Sequence, residues 1–143
     1  MSIALIYNHN INVVPSPASL MLTRTSSEGN SEIQIIGSDM TLTCTVELNS
    51  AIVVSDISLL TVEAQLSRDG TPLTLTGPTV TGTTFTYTRQ FESFGRNDSG
   101  NYTCMTTITP QPSSTYLTGS EAIVSNSISI KAGMSMTMIV IYI

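Results

Sequence analysis

The residues of this 143-residue sequence with most capacity for chemistry are Cys44, Cys104 and the single histidine, His9. A Ser–His or Cys–His catalytic pair, or a metal site with an imidazole ligand, would depend on His9 alone. No Cys-x-x-Cys motif is present, and two thiolates are too few for an all-cysteine zinc site. The acidic residues are scattered rather than paired. We therefore expect no catalytic residue, no metal site and no cofactor.

The two cysteines are either buried thiols or the halves of one disulfide. A bridge between Cys44 and Cys104 would close a loop of 60 positions. In the chain-entropy model such a loop closure contributes about 4 kcal/mol to stability. A disulfide persists in an oxidising compartment, so this second alternative also predicts an exported chain.

The composition excludes one class of partner. The chain has 5 Lys and Arg against 10 Asp and Glu, a net charge of -5, and so lacks the basic stripe that nucleic acid requires. Charged residues make up 10% of the chain, whereas about 25% is usual. The 22 Thr and 20 Ser residues indicate a polar surface built from hydroxyl groups.

Both ends of the chain are apolar but short. Residues 1–7 have no cationic start, and their apolar run is shorter than that of a signal peptide. Residues 134–143 are almost wholly apolar, yet a membrane span needs about 20 residues. This tail is either the first part of a span in a fragment of a larger protein, or an added strand or unstructured tail. The sequence favours neither alternative.

In the segments that must position the cysteines, apolar and polar residues alternate with a period of two, which is typical of half-buried strands. No window shows a convincing helical stripe. Seven or so short strands with turns such as Arg68-Asp69-Gly70-Thr71 predict an all-β sandwich of two packed sheets. Both cysteines fall on inward faces, where a disulfide could join the sheets. The clearest alternation lies at residues 40–48, 60–67, 73–75, 84–91 and 102–108 and around Ile128 and Ile130.

The most specific motif is Asn97-Asp98-Ser99-Gly100-Asn101-Tyr102-Thr103-Cys104. It fits the pattern D-x-G-x-Y-x-C, with a second cysteine 60 positions earlier on a predicted strand. Residues 11–132 therefore resemble an immunoglobulin-like domain. The resemblance implies an immunoglobulin-like β-sandwich of two antiparallel sheets joined by the Cys44–Cys104 disulfide. Residues 1–10 would then be an N-terminal extension, and residues 133–143 a short apolar tail.

The resemblance also implies structural roles around the motif. The Tyr102 hydroxyl would bond to backbone a few residues upstream, and Gly100 would allow a close approach of the backbone. Asp98 would accept backbone N–H bonds in the preceding turn. Phe94 stands where the family places an apolar turn residue. The sequence contains no tryptophan, so Leu66 takes the place of the tryptophan that usually packs on the disulfide.

Two further features depart from simple alternation. The apolar residues 52–54 lie in a long connection after Cys44. We expect them to form either an extra strand or flap over the edge of the sandwich, or an exposed apolar contact for a partner or neighbouring domain. Arg89 falls on the apolar face of its strand. We expect Arg89 either to pair with Asp98 or another carboxylate, or to lie on a bulge and be solvated.

Surface motifs indicate which end of the sandwich is free. Asn97 and Asn101 begin glycosylation sequons near the turn that precedes Tyr102. The opposite end carries the long connection 109–120, which is rich in Ser and Thr and contains Tyr116 and Leu117. That composition resembles a paratope, so Tyr116 and Leu117 are the candidate partner-binding residues.

The sequence thus predicts a non-enzymatic recognition or adhesion module that acts outside the cell or at its surface. Its partner would be a protein or glycan ligand, bound through the loop end that holds residues 109–120. The alternative is a structural spacer in a tandem array, which touches only neighbouring domains of the same kind. Membrane attachment is expected only if the C-terminal tail is a truncated span.

Overall fold

The computed structural model describes residues 17–26, 32–48, 60–110 and 121–134. These residues form nine β-strands and one short 3₁₀ turn, Arg96–Asp98. None of the described residues forms a helix that is long and apolar enough to cross a membrane. The strands are β1 (Pro17–Ser26), β2 (Ile33–Ile35), β3 (Met40–Leu48), β4 (Leu60–Arg68), β5 (Thr71–Leu73), β6 (Thr76–Thr81), β7 (Thr84–Phe91), β8 (Gly100–Pro110) and β9 (Glu121–Gly133).

The strands form two sheets. The four-stranded sheet has the order β1-β3-β7-β6, and the five-stranded sheet has the order β2-β9-β8-β4-β5. Paired strands are antiparallel, apart from the three-residue β2, which runs parallel to β9. The chain changes sheet between β5 and β6, where Thr74 and Leu75 connect the two.

Alternation along the strands builds the core between the sheets. Every second residue of β3, from Met40 to Leu48, is buried. Leu66, Ile108 and Ile130 from the other sheet are also fully buried. A disulfide joins Cys44 of β3 to Cys104 of β8, with the two Cα atoms 6.4 Å apart. The predicted all-β sandwich with two sheets joined by one disulfide is confirmed, and the short parallel strand β2 is an addition to it.

The sequence did not reveal three strands, β1, β2 and β6. On β1, the exposed Met21 stands between the buried Leu20 and Leu22, so three adjacent apolar residues hide the period of two. Strand β6 is exposed along its whole length, which leaves no alternation to read. The predicted strand at residues 73–75 is instead β5, which ends at Leu73 because the chain crosses there to the other sheet.

Asn126 ties the outer edge of β1 to the opposite sheet. Its Oδ1 accepts the Leu22 N–H at 2.9 Å, and its Nδ2 donates to the Leu22 carbonyl oxygen at 3.1 Å. Asn126 lies where the β8–β9 register shifts, and the neighbouring Ser125 Oγ accepts the Cys104 N–H at 2.9 Å. The irregularity therefore lets one side chain act as a strand partner for the edge of β1.

We expect Asn126→Ala to lower the free energy of unfolding by about 1–2 kcal/mol, because it removes the partners of two backbone groups of Leu22. Urea unfolding followed by circular dichroism would measure the loss. Asn97→Ala is the matched control, since the exposed Asn97 makes no such bridge. Equal stability of the two variants would contradict the bridging role.

Thr106 is a polar residue in the core. It is fully buried, and its Oγ1 has no hydrogen-bond partner among the described residues. Desolvating a hydroxyl without a new hydrogen bond costs free energy. The position therefore suits an apolar side chain of the same shape.

Thr106→Val should raise the free energy of unfolding by about 1 kcal/mol, because valine has the same shape without the hydroxyl. Urea unfolding again measures the change. Thr107→Val, on the outward face of the same strand, serves as the control and should change stability by less than about 0.5 kcal/mol. A destabilised Thr106→Val variant would show that the hydroxyl has a partner in solution.

Candidate functional site

The corner that leads into β8 is built around the buried ring of Tyr102. Its hydroxyl donates to the backbone carbonyl oxygen of Asp98. The Phe91 ring meets Tyr102 edge-on, with the centroids 6.0 Å apart, and meets Phe94 in the same way at 5.7 Å. Phe94 is fully buried, and its N–H donates to the Ser38 carbonyl oxygen at 3.0 Å. These contacts fix the direction in which β8 enters the sandwich.

Asp98 links this corner to two other segments. Its Oδ2 accepts the Gly95 N–H at 2.9 Å within the 3₁₀ turn. Its Oδ1 lies 3.5 Å from Nη1 of Arg68, at the end of β4. Both side chains of this ion pair are partly exposed, so its contribution to stability is small. The carboxylate thus acts mainly as a backbone acceptor in its turn.

Arg89 does not follow either alternative expected from the sequence. The cation beside Asp98 is Arg68, and the β3–β7 register is regular where Leu42 faces Arg89. The nearby register shift lies in the β6–β7 pairing, between Thr76 and Thr79, and not at Arg89. Arg89 Nη1 instead donates to Thr74 Oγ1 at 2.7 Å and to the Thr74 carbonyl oxygen at 3.3 Å. Its guanidinium also lies 5.4 Å from the centre of the Phe91 ring, at cation–π range. Arg89 therefore fastens the β5–β6 connection to the core.

Gly100 lies against the turn that joins β4 to β5. A Cβ at this position would be 2.6 Å from Cγ of Arg68 and 2.6 Å from Oδ2 of Asp69. Asp69 Oδ1 accepts the Asn101 N–H at 3.0 Å, and the Asp69 N–H donates to the Asn101 carbonyl oxygen at 2.9 Å. A side chain larger than that of glycine at position 100 would displace the side chains of the β4–β5 turn, so glycine allows the turn to lie close to the start of β8.

Leu66 is the cross-strand partner of Cys104 and is fully buried beside the disulfide position. Both sequon asparagines are exposed: Asn97 in the 3₁₀ turn and Asn101 at the start of β8. The two lie at the end of the sandwich that holds the β4–β5 turn. Tyr116 and Leu117 fall in residues 111–120, outside the described residues, as do residues 52–54.

The exposed face of the five-stranded sheet offers an apolar pair that the sequence analysis did not single out. Met105 of β8 and Val124 of β9 are direct cross-strand partners, with 41% and 61% of their surfaces exposed. Next to them, the hydroxyls of Thr103 and Ser127 lie 3.0 Å apart. Met105 follows the inward Cys104, so alternation along β8 would have placed it on the outer face.

A groove of about 680 Å³ opens between β4 and the β5–β6 connection. Its floor includes the partly buried apolar side chains of Val62 and Leu73, and Tyr87 lines it from the other sheet. Among the described residues that line it, Glu63 is the charged one. No cluster of three or more His, Cys, Asp or Glu that could hold a metal ion occurs within the described parts of the chain.

Burial changes the titration of two tyrosines. Burial raises the pKa of the Tyr102 phenol above its usual 10.0, an effect that Arg68 partly offsets. Burial, and then the charge of Glu63, raise the pKa of Tyr87 in the same direction. The unfolded chain therefore releases these two protons at a lower pH than the folded chain does.

Stability should consequently be constant with respect to these tyrosines below pH 10 and fall as the pH rises above about 10. Tyr87→Phe and Tyr102→Phe should each flatten this alkaline loss, although each also removes a hydrogen bond at neutral pH. The measurement is urea unfolding at a series of pH values between 8 and 11. Variants with the same alkaline slope as the parent would contradict the shifted pKa values.

The geometry defines a class of protein: a two-sheet β-sandwich with a buried inter-sheet disulfide and a tyrosine whose hydroxyl closes the corner into the following strand. A family model for the immunoglobulin domain matches residues 35–117. The chain therefore belongs to the immunoglobulin domain family.

Several solved structures resemble the chain. A chain from the crystal structure of Dpr2 Ig1-Ig2 in complex with DIP-Theta Ig1-Ig3 has 19% identity and a TM-score of 0.49, over 80% of this chain and 51% of that one. This chain thus spans about half the length of that matched chain. The Dscam1 Ig7 domain, isoform 9, has 14% identity and a TM-score of 0.41, over 82% and 98%. The BTLA ectodomain has 14% identity and a TM-score of 0.45, over 81% and 100%. No curated protein sequence matches this chain significantly.

Proposed function

We propose that this immunoglobulin domain is a non-enzymatic extracellular recognition module that binds a protein partner. The observation that carries the proposal is the exposed pair Met105–Val124 on the outer face of the five-stranded sheet. Protein interfaces are depleted of charge at their centres and enriched in methionine. Hydroxyl groups of Thr103 and Ser127 border the pair, as expected for a polar rim around an apolar centre.

The position of the pair connects it to the candidate binding loop. Met105 lies five residues before the end of β8 at Pro110, about 16 Å along an extended strand. Val124 lies three residues after the start of β9. Both strands lead into residues 111–120, which hold Tyr116 and Leu117. We propose that the contact extends from the Met105–Val124 pair onto this loop, because a stable interface needs about 800 Å² on each partner.

The Cys44–Cys104 disulfide supports the extracellular assignment, because such a bond persists in an oxidising compartment. The exposure of Asn97 and Asn101 is compatible with glycosylation at the other end of the domain. The competing function is a spacer that contacts only neighbouring domains.

Val124→Glu should abolish partner binding, because it places a charge at the centre of the proposed apolar contact. The measurement is staining of a panel of cell lines with the chain displayed as a fluorescent tetramer. Val80→Glu is the matched control, since Val80 is 49% exposed on β6 of the other sheet. Its tetramer should stain as the parent does.

A second variant tests the loop. Tyr116→Ala combined with Leu117→Ala should also abolish staining if the loop completes the contact. Absence of staining by the parent tetramer on every line, or equal staining by the parent and all variants, would favour the spacer.

A further inference from the structure

The first half of β4 is an open strand edge. Its neighbour β5 pairs with residues Leu66, Ser67 and Arg68 and then leaves for the other sheet. On the opposite side, β8 pairs with β4 along its whole length. Among the described residues, β4 between Val62 and Gln65 therefore pairs with β8 on one side and has no strand partner on the other side.

The hydrogen-bond pattern identifies which backbone groups face this edge. The Cys104 N–H is bound by Ser125 Oγ on the β9 side, so it points away from β4. The Leu66–Cys104 pair is thus a non-hydrogen-bonded pair, and by alternation the backbone groups of Ala64 and Val62 also point away from β8. The Val62 carbonyl oxygen confirms this direction, because it accepts the Tyr87 hydroxyl at 2.8 Å.

Among the described residues, the groups that remain for an incoming strand are the Val62 N–H and the N–H and C=O of Ala64. They open onto the 680 Å³ groove, which falls within the range of about 300–1,000 Å³ typical of ligand sites. The floor beneath them is apolar and includes Leu73 and Leu75. Natural edges are commonly blunted by charged side chains, proline or a bulge; this stretch of β4 has the charge of Glu63 but neither proline nor a bulge.

The negative charge of Glu63 favours a cationic ligand in the groove. Glu63 is exposed on β4 between the two residues whose backbone faces the edge. Its charge also reaches Tyr87 across the groove, where it acts in the direction that raises the pKa of the phenol. Arg89 bonds to the lining residue Thr74, and its guanidinium also contacts the Phe91 ring. Within the part of the chain that the structure describes, the groove thus presents a carboxylate without an ion-pair partner beside strand backbone without a strand partner.

We propose that the Val62–Gln65 edge of β4 binds an extended, cationic segment of a partner protein by strand addition. In the added strand, a residue opposite Ala64 turns its side chain onto the apolar floor. The residue opposite Glu63 turns outward, and a lysine or arginine there lies within reach of the carboxylate, because directly opposed Cβ atoms are about 5 Å apart. The segment recognised therefore alternates apolar and basic residues. This site goes beyond the proposed contact at Val124. The two share Met105, which also lines the groove, but the backbone contacts at Val62 and Ala64 do not involve Val124.

The probe is an acetylated, amidated peptide of sequence Thr-Val-Lys-Val-Lys-Val-Thr, titrated into the full chain and followed by NMR. Shift changes should centre on Val62, Ala64 and the groove. Glu63→Lys should weaken binding about five- to tenfold, since a weak attraction becomes a repulsion. Glu92→Lys makes the same charge change at an exposed position outside the groove and should leave binding within about twofold of the parent.

Amide hydrogen exchange tests strand addition itself. Saturating peptide should slow exchange at Val62 and Ala64 and leave Glu63 unchanged, because the Glu63 N–H already faces β8. Ala64→Pro removes one donor that the peptide needs without removing a β4–β8 bond, and should abolish binding while the thermal unfolding transition is retained. Val124→Glu should bind the peptide as the parent does, which separates this proposal from the preceding one.

Three results would overturn the proposal. The first is equal binding of a peptide in which both lysines are replaced by glutamate. The second is peptide binding that is unchanged in both Glu63→Lys and Ala64→Pro, or absent at millimolar peptide. The third is a dimer in sedimentation whose interface protects Val62 and Ala64 without peptide, since the occupant would then be a second copy of the chain.

Discussion

The structure depends on the packing of alternate residues of β3 against those of β4 and β8. The buried row from Met40 to Leu48 provides one wall, and Leu66, Cys104 and Ile108 provide the other. The period of two commits every intervening residue to an outer face, so a shift of one residue in any strand would exchange core and surface. The disulfide lies within this packing, and it reinforces a pairing that the apolar side chains already favour.

Polar contacts then settle how the strands enter and leave the core. Tyr102 and Asp98 fix the start of β8, and Asn126 replaces a strand partner for β1 where the β8–β9 register shifts. Arg89 fastens the crossing between β5 and β6. Each of these side chains satisfies backbone groups that regular pairing leaves open. Along the first half of β4 no described side chain does this for Ala64, and the departure of β5 leaves its backbone facing the groove.

The same geometry explains why two different surfaces carry the proposed contacts. The outer face of β8 and β9 presents side chains, and its apolar pair borders hydroxyl groups. The edge of β4 presents backbone, with one carboxylate beside it. A sheet face can select a partner by shape. A strand edge instead binds the backbone of an added strand, and it contacts only alternate side chains of that strand. The two proposed surfaces meet at Met105, which pairs with Val124 on the outer face and also lines the groove beside β4.

The sequence by itself determined the sandwich, because the alternation on β3, β4, β7 and β8 leaves one arrangement that buries their apolar faces. The D-x-G-x-Y-x-C motif likewise indicated the roles of Asp98 and Tyr102, since their contacts lie within a few residues of one another. The motif also indicated a close approach at Gly100, but the structure decided that the neighbour is the distant turn at Arg68 and Asp69. Only the tertiary structure decided the partner of Arg89, the bridge made by Asn126 and the open edge at Ala64. Those features depend on which strands become neighbours and where β5 changes sheet. Such pairings join residues far apart in the chain, and no local pattern encodes them.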